Sequence, residues 1–275
     1  MALTTVKQIL SSKLGQPIFV TKGSGSTTSY PRSVWYSGGY PVSGTVDLTT
    51  VNGSILSSTS VGAIPFSNPV SGETKILNMS ISAERPGFFV LYDRLWQCSV
   101  DNSSLAIDSS LSTTFNIVSP TWPARDNNAS TNGEGVILAI ETLFGTAGST
   151  DAVITYTNSA GVSGRTGTTT IPINGSAVRG CWHNVGLQNN DIGVRSVQSI
   201  VFTTPNTTSC QVNIVAHRVL GTFTLGAPFV SHFIDSISTI IPSILNDSCL
   251  SFWYYPYAGQ QVGQPINATI NLAQG

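Results

Sequence analysis

Of 275 residues only 9% are charged, 12 basic against 13 acidic, where a soluble domain averages about 25%. A hydrophobic fraction of 40% with 9% aromatics is enough for a sizeable core and excludes intrinsic disorder, and the 26 glycines follow no collagen-like period. A net charge of −1 raises no long-range field, which speaks against nucleic-acid binding through a basic surface.

The first residues, Met1-Ala2-Leu3-Thr4-Thr5-Val6-Lys7, lack the basic and apolar segments of a secretory signal, so cytoplasmic synthesis is expected. Leu3, Val6, Ile9 or Leu10, and Leu14 share one helical face before Gly15, which predicts a short N-terminal amphipathic helix. From Gly23 to Pro41 turn residues and aromatics alternate without period, which predicts an extended arm. Its Trp35, Tyr36 and Tyr40 need cover, and with the five helix residues they form the candidate protein interface. Residues 1–69 are therefore expected to be helix and arm, and residues 70–275 the body.

From about Ile76 onward, short runs rich in Val, Ile, Thr and aromatics alternate with Gly, Pro, Asn and Ser clusters. Strands are predicted over 76–82, 87–92, 136–144, 152–157, 166–173, 194–203, 211–224, 249–255 and 266–272, with a hairpin turn at Asn158-Ser159-Ala160-Gly161. The spacing implies an all-β, antiparallel β-sandwich or jelly-roll-like body rather than βαβ units. The run Val136-Ile137-Leu138-Ala139-Ile140 is apolar on both faces and should be covered on both. Phe229, Phe233, Ile237, Ile240 and Ile244 follow helical spacing, which predicts a short helical crossover near 229–245, broken at Pro242. No apolar run is long enough for a membrane helix. Cys98, Cys181, Cys210 and Cys249 are too scattered for a metal knuckle and read as buried small hydrophobes.

Motifs for chemistry are missing. There is no Gly-x-Ser-x-Gly elbow, phosphate loop or dinucleotide fingerprint. His217, in a strand pattern, reads as packed or solvent-facing rather than as a ligand. With four Glu in the chain, Glu134 and Glu141 are a weak basis for a glycosidase pair. The stretch from Asp126 to Glu134 has its glycine misplaced for a calcium loop and reads as a polar surface loop. The expectation is a protein without catalytic residues, metal or cofactor. A surface of Ser, Thr, Asn and Gly lacks the charge repulsion that keeps monomers apart, yet composition fits a free monomer with hydroxyl-bearing strands equally well; the helical N-terminal arm and the aromatic, unperiodic segment tilt the reading toward assembly.

Several segments resemble tailed-bacteriophage virion proteins: Ala63-Ile64-Pro65-Phe66-Ser67-Asn68-Pro69, Leu91-Tyr92-Asp93-Arg94-Leu95-Trp96, and Ile154-Thr155-Tyr156-Thr157-Asn158-Ser159-Ala160-Gly161 with Gly164-Arg165-Thr166. Gly193-Val194-Arg195-Ser196-Val197 and the closing Asn271-Leu272-Ala273-Gln274-Gly275 belong with them. The resemblance implies a capsid decoration (cement) protein, made in the host cytoplasm and located on the virion. It would bridge major capsid protein subunits on the outer head surface and associate with itself, as a homotrimer, without nucleic acid or membrane partners. Arg94 and Arg195 are expected to be structural, paired in apolar strands. The alternative is a tail-fibre or lectin-like module that stacks surface glycan on Trp35, Trp122, Trp182 or Trp253.

Overall fold

The computed structural model describes residues 13–23, 30–46, 51–101, 113–145, 149–172, 179–203, 210–235, 242–257 and 265–275. In chain order the strands are β1 (Lys13–Leu14), β2 (Ile18–Gly23), β3 (Arg32–Ser33), β4 (Gly39–Tyr40), β5 (Ser54–Ile55), β6 (Thr74–Ser82), β7 (Gly87–Asp101), β8 (Thr113–Asn116) and β9 (Val136–Gly145). They continue with β10 (Ser149–Asn158), β11 (Arg165–Pro172), β12 (Cys181–Asn184), β13 (Val194–Phe202), β14 (Cys210–Leu225), β15 (His232–Asp235), β16 (Leu250–Pro256) and β17 (Pro265–Gln274). The fold is all-β and antiparallel, as expected. Among the described residues there is no helix, and so none long and apolar enough to cross a membrane.

The chain forms two compact units, one of Met1–Thr45, Ser57–Asp93 and Val219–Gly275, the other of Val46–Leu56 and Arg94–Arg218. This division does not follow the expected boundary at residue 69. Strands on both sides of that position share one sheet of the first unit, in the order β15-β6-β17-β2-β4. Period-two burial sets that sheet's faces: Ile266, Ala268, Ile270 and Leu272 of β17 point inward, while Asn267, Thr269 and Asn271 do not. Its inner face joins Phe89, Leu91, Phe252 and Leu250 of β7 and β16 in one core, making a sandwich.

The second unit is also a sandwich. One layer is β11-β10-β13-β8. Across the core, Ile154 and Ile200 of that layer join Leu138 and Ile140 of β9 and Ile214 and Ala216 of β14. The β10–β11 hairpin closes at the predicted turn, where the Gly161 amide donates to Asn158 O at 2.9 Å and Gly161 takes φ +85°, a conformation that favours glycine.

Two expectations are corrected, and a third lies largely outside the described residues. The N-terminal helix falls largely on residues 1–12, outside the described residues, but its last member, Leu14, lies in β1 and pairs with Ala273. The helical crossover is not formed where described. His232–Asp235 is a strand on β6, Phe229 has φ +55°, and Ile244 bridges Thr74. The edge of β6 offers N–H and C=O groups that need partners, and Pro242 would cost a helix one of its own hydrogen bonds. Arg195 is exposed and has no ion pair among the described residues, whereas Arg94 is paired as expected. Cys98, Cys181 and Cys249 are buried free thiols, as read.

Strand β9 is covered on both sides, but beyond Ala139 the second side also buries polar groups. Residues Glu141 and Asn213 face each other there in register, each fully buried. Two guanidinium nitrogens of Arg94 donate to Glu141, Nη1 to Oε1 at 2.8 Å and Nη2 to Oε2 at 2.6 Å. Gln97 Oε1 accepts from Arg94 Nη2 at 2.8 Å, Asn213 Nδ2 donates to Glu141 Oε2 at 2.9 Å, and Ser99 Oγ donates to Asn213 Oδ1 at 3.1 Å. Removing one member strands a buried charge. Glu141→Ala is expected to lower stability by about 3–5 kcal/mol in urea unfolding, and Glu134→Ala, on a partly exposed loop, by less than about 1 kcal/mol. Equal losses would contradict this account.

Candidate interaction surface

The predicted interface residues scatter on inspection. Leu3, Val6, Ile9 and Leu10 lie outside the described residues, and Leu14 is a strand residue against β17. Trp35 is 1% exposed, covered within its own unit, and its Nε1 donates to Thr45 O at 3.3 Å. A Cβ on Gly44 would collide with the indole, so glycine there lets the backbone close over the ring. Trp35 therefore needs no neighbouring molecule to cover it, contrary to expectation. Tyr36 is half-buried, and Tyr40 stays exposed at 55%.

The sheet that carries Tyr40 has an outer face with a definite composition. Reading across it in register, Phe19 on β2 meets Thr269 on β17, then Ser80 on β6, then Phe233 on β15. Phe19 is 64% exposed and Phe233 59%. Between them stand Asn267, Thr269, Asn271, Asn78, Ser80 and Ser82, none charged; Asp235, on the same face as Phe233 and in register with Asn78, brings one acid to the β15 edge. Beside Phe19, where Gly15 to Pro17 interrupt the pairing along β17, a groove of about 630 Å³ opens, lined among others by Pro17, Phe19, Tyr40, Pro65 and Phe66. Lys22, on the inner side of β2, donates to Ser37 O and Val42 O at 3.2 Å each and so ties down the segment bearing Tyr40. Burial lowers its pKa to about 8.

The second unit has a smaller cleft of about 310 Å³, lined by Ser119, Pro120, Thr121, Thr157, Gly161, Arg195 and Ser196. Nearby, Asp191 accepts from Arg165 Nε at 2.9 Å, Tyr156 Oη at 2.6 Å and Asn158 Nδ2 at 2.7 Å. The Arg165 hydrogen bond leads in holding the Asp191 carboxyl at about 2, and burial, then Asp191, raises Tyr156 to about 12. Nothing in the sequence spacing announced this cluster.

Residues weighed for chemistry are otherwise engaged. Glu141 is held by Arg94, and Glu134 Oε2 accepts from Asn128 Nδ2 at 2.8 Å. Asp126, 1% exposed, is the hub of its loop. Its carboxylate accepts from the amides of Asn128, Ser130, Gly133 and Glu134 at 2.7–3.1 Å and from Ser130 Oγ at 2.7 Å. Burial would raise its pKa, yet these hydrogen bonds hold it below the usual value. No cluster of three metal-ligating side chains occurs among the described residues. Trp122 and Trp182 are 1% exposed and Trp253 9%, so the tryptophans suggested for sugar stacking are core residues.

No protein-family model matches the chain, and no curated protein matches it. Among solved structures it is similar to the infectious bursal disease virus VP2 subviral particle at 8% identity, over 96% of this chain and 81% of that one, with a TM-score of 0.21. For the Gt strain of that virus the values are 7%, 96%, 82% and 0.18, and for its derived T=1 particles 8%, 96%, 78% and 0.20. All are viral particle structures. At TM-scores of 0.18 to 0.21 the likeness fixes neither fold nor role.

Two histidines flank β9 in the second unit. Burial lowers His183 to about 4 and His217, which meets the Trp182 ring edge-on at 4.9 Å, to about 3; Arg94 adds to the shift at His217 and Glu141 opposes it. Both are neutral when folded at pH 7. Unfolded, they take up protons below their ordinary value of 6.5, so stability present above that pH is lost as pH falls toward 4 and 3. By pH 5 the expected loss is about 2 kcal/mol per histidine, and thermal unfolding at pH 7.5 and 5 measures it. An unchanged melting temperature would contradict the burial of both rings.

Proposed function

We propose that the chain is a structural protein of a virus particle, and more finely a decoration protein that binds the outer surface of a phage head and bridges its major capsid subunits. The observation that carries this reading is the charge-poor outer sheet face of the first unit, with Phe19 and Phe233 at the two ends of one cross-strand row, Tyr40 on the strand next to Phe19, and Asp235 the acid at the β15 edge. Water-exposed aromatic rings on a flat face of hydroxyls and amides match the centre of a protein interface, where charge is depleted and aromatics are enriched. The resemblance to tailed-phage virion proteins supports the same role from sequence. Its phrases are not catalytic motifs, and the role proposed is structural, not enzymatic.

Each copy buries apolar area against a shell subunit and against its own neighbours in a closed trimer. Burying one phenylalanine ring contributes roughly 1.5–3 kcal/mol, and many copies together stabilise the shell by mass action. Glycan binding by tryptophan stacking loses its surface, because Trp35, Trp122, Trp182 and Trp253 are buried.

The test is a Phe19→Ser, Phe233→Ser double variant added to heads stripped of the protein. Both side chains are exposed, so melting should be unchanged, while occupancy at fixed concentration is expected to fall at least about tenfold. Full occupancy by the double variant would overturn the assignment of this face.

A further inference from the structure

The cleft on the second unit is a preformed pocket around one cation. Its floor is β13 at Arg195 and Ser196. One wall is the segment of Ser119 to Thr121, pinned to β13 where the Val197 amide donates to Ser119 Oγ at 2.9 Å and, just beyond, where Trp122 Nε1 donates to Val194 O at 2.7 Å. The other wall is the β10–β11 turn, fixed by the Ser159 amide donating to Gly193 O at 2.9 Å. Two segments that carry the sequence resemblance, the one ending at Gly161 and the one around Arg195, thus meet here and have no part in the proposed assembly face.

Among the described residues Arg195 is the sole charged side chain of the lining. Its Nη1 lies 3.6 Å from where a Cβ on Gly161 would stand, so the guanidinium is laid over a residue without a side chain. The acids close by in sequence and register are taken: Asp191 by Arg165, Tyr156 and Asn158, Glu134 by Asn128. Among the described residues this leaves a guanidinium without a counter-charge, facing a cleft of four hydroxyl side chains, Ser119, Thr121, Thr157 and Ser196, with Pro120 as an apolar patch.

We propose that this cleft binds a terminal acidic sugar through its carboxylate. A planar guanidinium matches a carboxylate by two parallel hydrogen bonds. The hydroxyls exchange hydrogen bonds with those of the sugar, and Pro120 meets the C–H face of its ring. A volume of about 310 Å³ takes one sugar unit with its substituents. A phosphate site would bring more than one cation or a nest of amides, which this lining does not have.

The probe is 3′-sialyllactose, titrated against the full chain by ligand-observed NMR, with lactose, acetate and inorganic phosphate as separate arms. Sialyllactose is expected to bind at least about tenfold more tightly than lactose, and Arg195→Gln to weaken it by at least about tenfold without changing the melting temperature, with Arg195→Lys in between. Lactose binding as well as sialyllactose, an unaffected Arg195→Gln variant, or no binding at all would overturn the proposal. Acetate or phosphate binding as tightly as sialyllactose would overturn the sugar assignment and leave a simple anion site.

Discussion

A carboxylate taken wholly out of water must be met by a cation in close geometry, and Glu141 meets that demand through Arg94. On the core face of β9, Leu138 and Ile140 join an apolar cluster; on the other, Glu141 aligns with Asn213 of β14 and draws Arg94, Gln97 and Ser99 of β7 into one network. A one-residue slip of β9 against β14 would put the carboxylate into the hydrocarbon core and Ile140 among the polar groups. The ion pair therefore fixes register, which places β9 and, through the shared core, the β10–β13 layer on which the Arg195 cleft is built.

The scarcity of charge becomes sharper once the structure is known. Lys22, Asp93, Arg94, Arg125, Asp126, Glu141 and Arg218 are buried, and several do structural work that neutral residues do elsewhere. Asp93 accepts from the Cys249 amide and Ser248 Oγ, both at 2.8 Å; Arg125 donates to Leu56 O at 2.6 Å. The outside is consequently poorer in charge than the composition suggests. A sheet face of Asn, Ser and Thr with exposed phenylalanines has little electrostatic penalty for lying against another protein, which links the burial of charge to the role proposed for the first unit.

What was legible in the sequence was periodic. Strands β6, β10, β13 and β17 carry partial alternation or short apolar runs, and each lies within a few residues of its predicted span. The two-residue strands β3, β4 and β5 are too short to show a period, so the aromatic segment around them read as an arm. Trp35 read as uncovered because its cover comes from Gly44, a residue that signals nothing until the chain is folded. Phe229 and Phe233 happened to stand four apart, and pairing with the edge of β6 decided that segment instead. The apolar context of Arg94 announced a buried partner. Arg195 has a similar apolar context, but it follows buried Val194 on the opposite, exposed side of β13. The partners of Asp191 stand 26 to 35 positions from it, so only the fold brings that cluster together, whereas the Asp126 loop is local and reads from sequence as a polar stretch, though not as a carboxylate hub.

The most direct test of the central claim is the copy number of this protein relative to the major capsid protein, by quantitative mass spectrometry of purified particles. A decoration protein that bridges shell subunits is expected at a ratio on the order of the shell subunits themselves, as closed symmetric assembly requires. A few copies per particle, or none, would contradict the account.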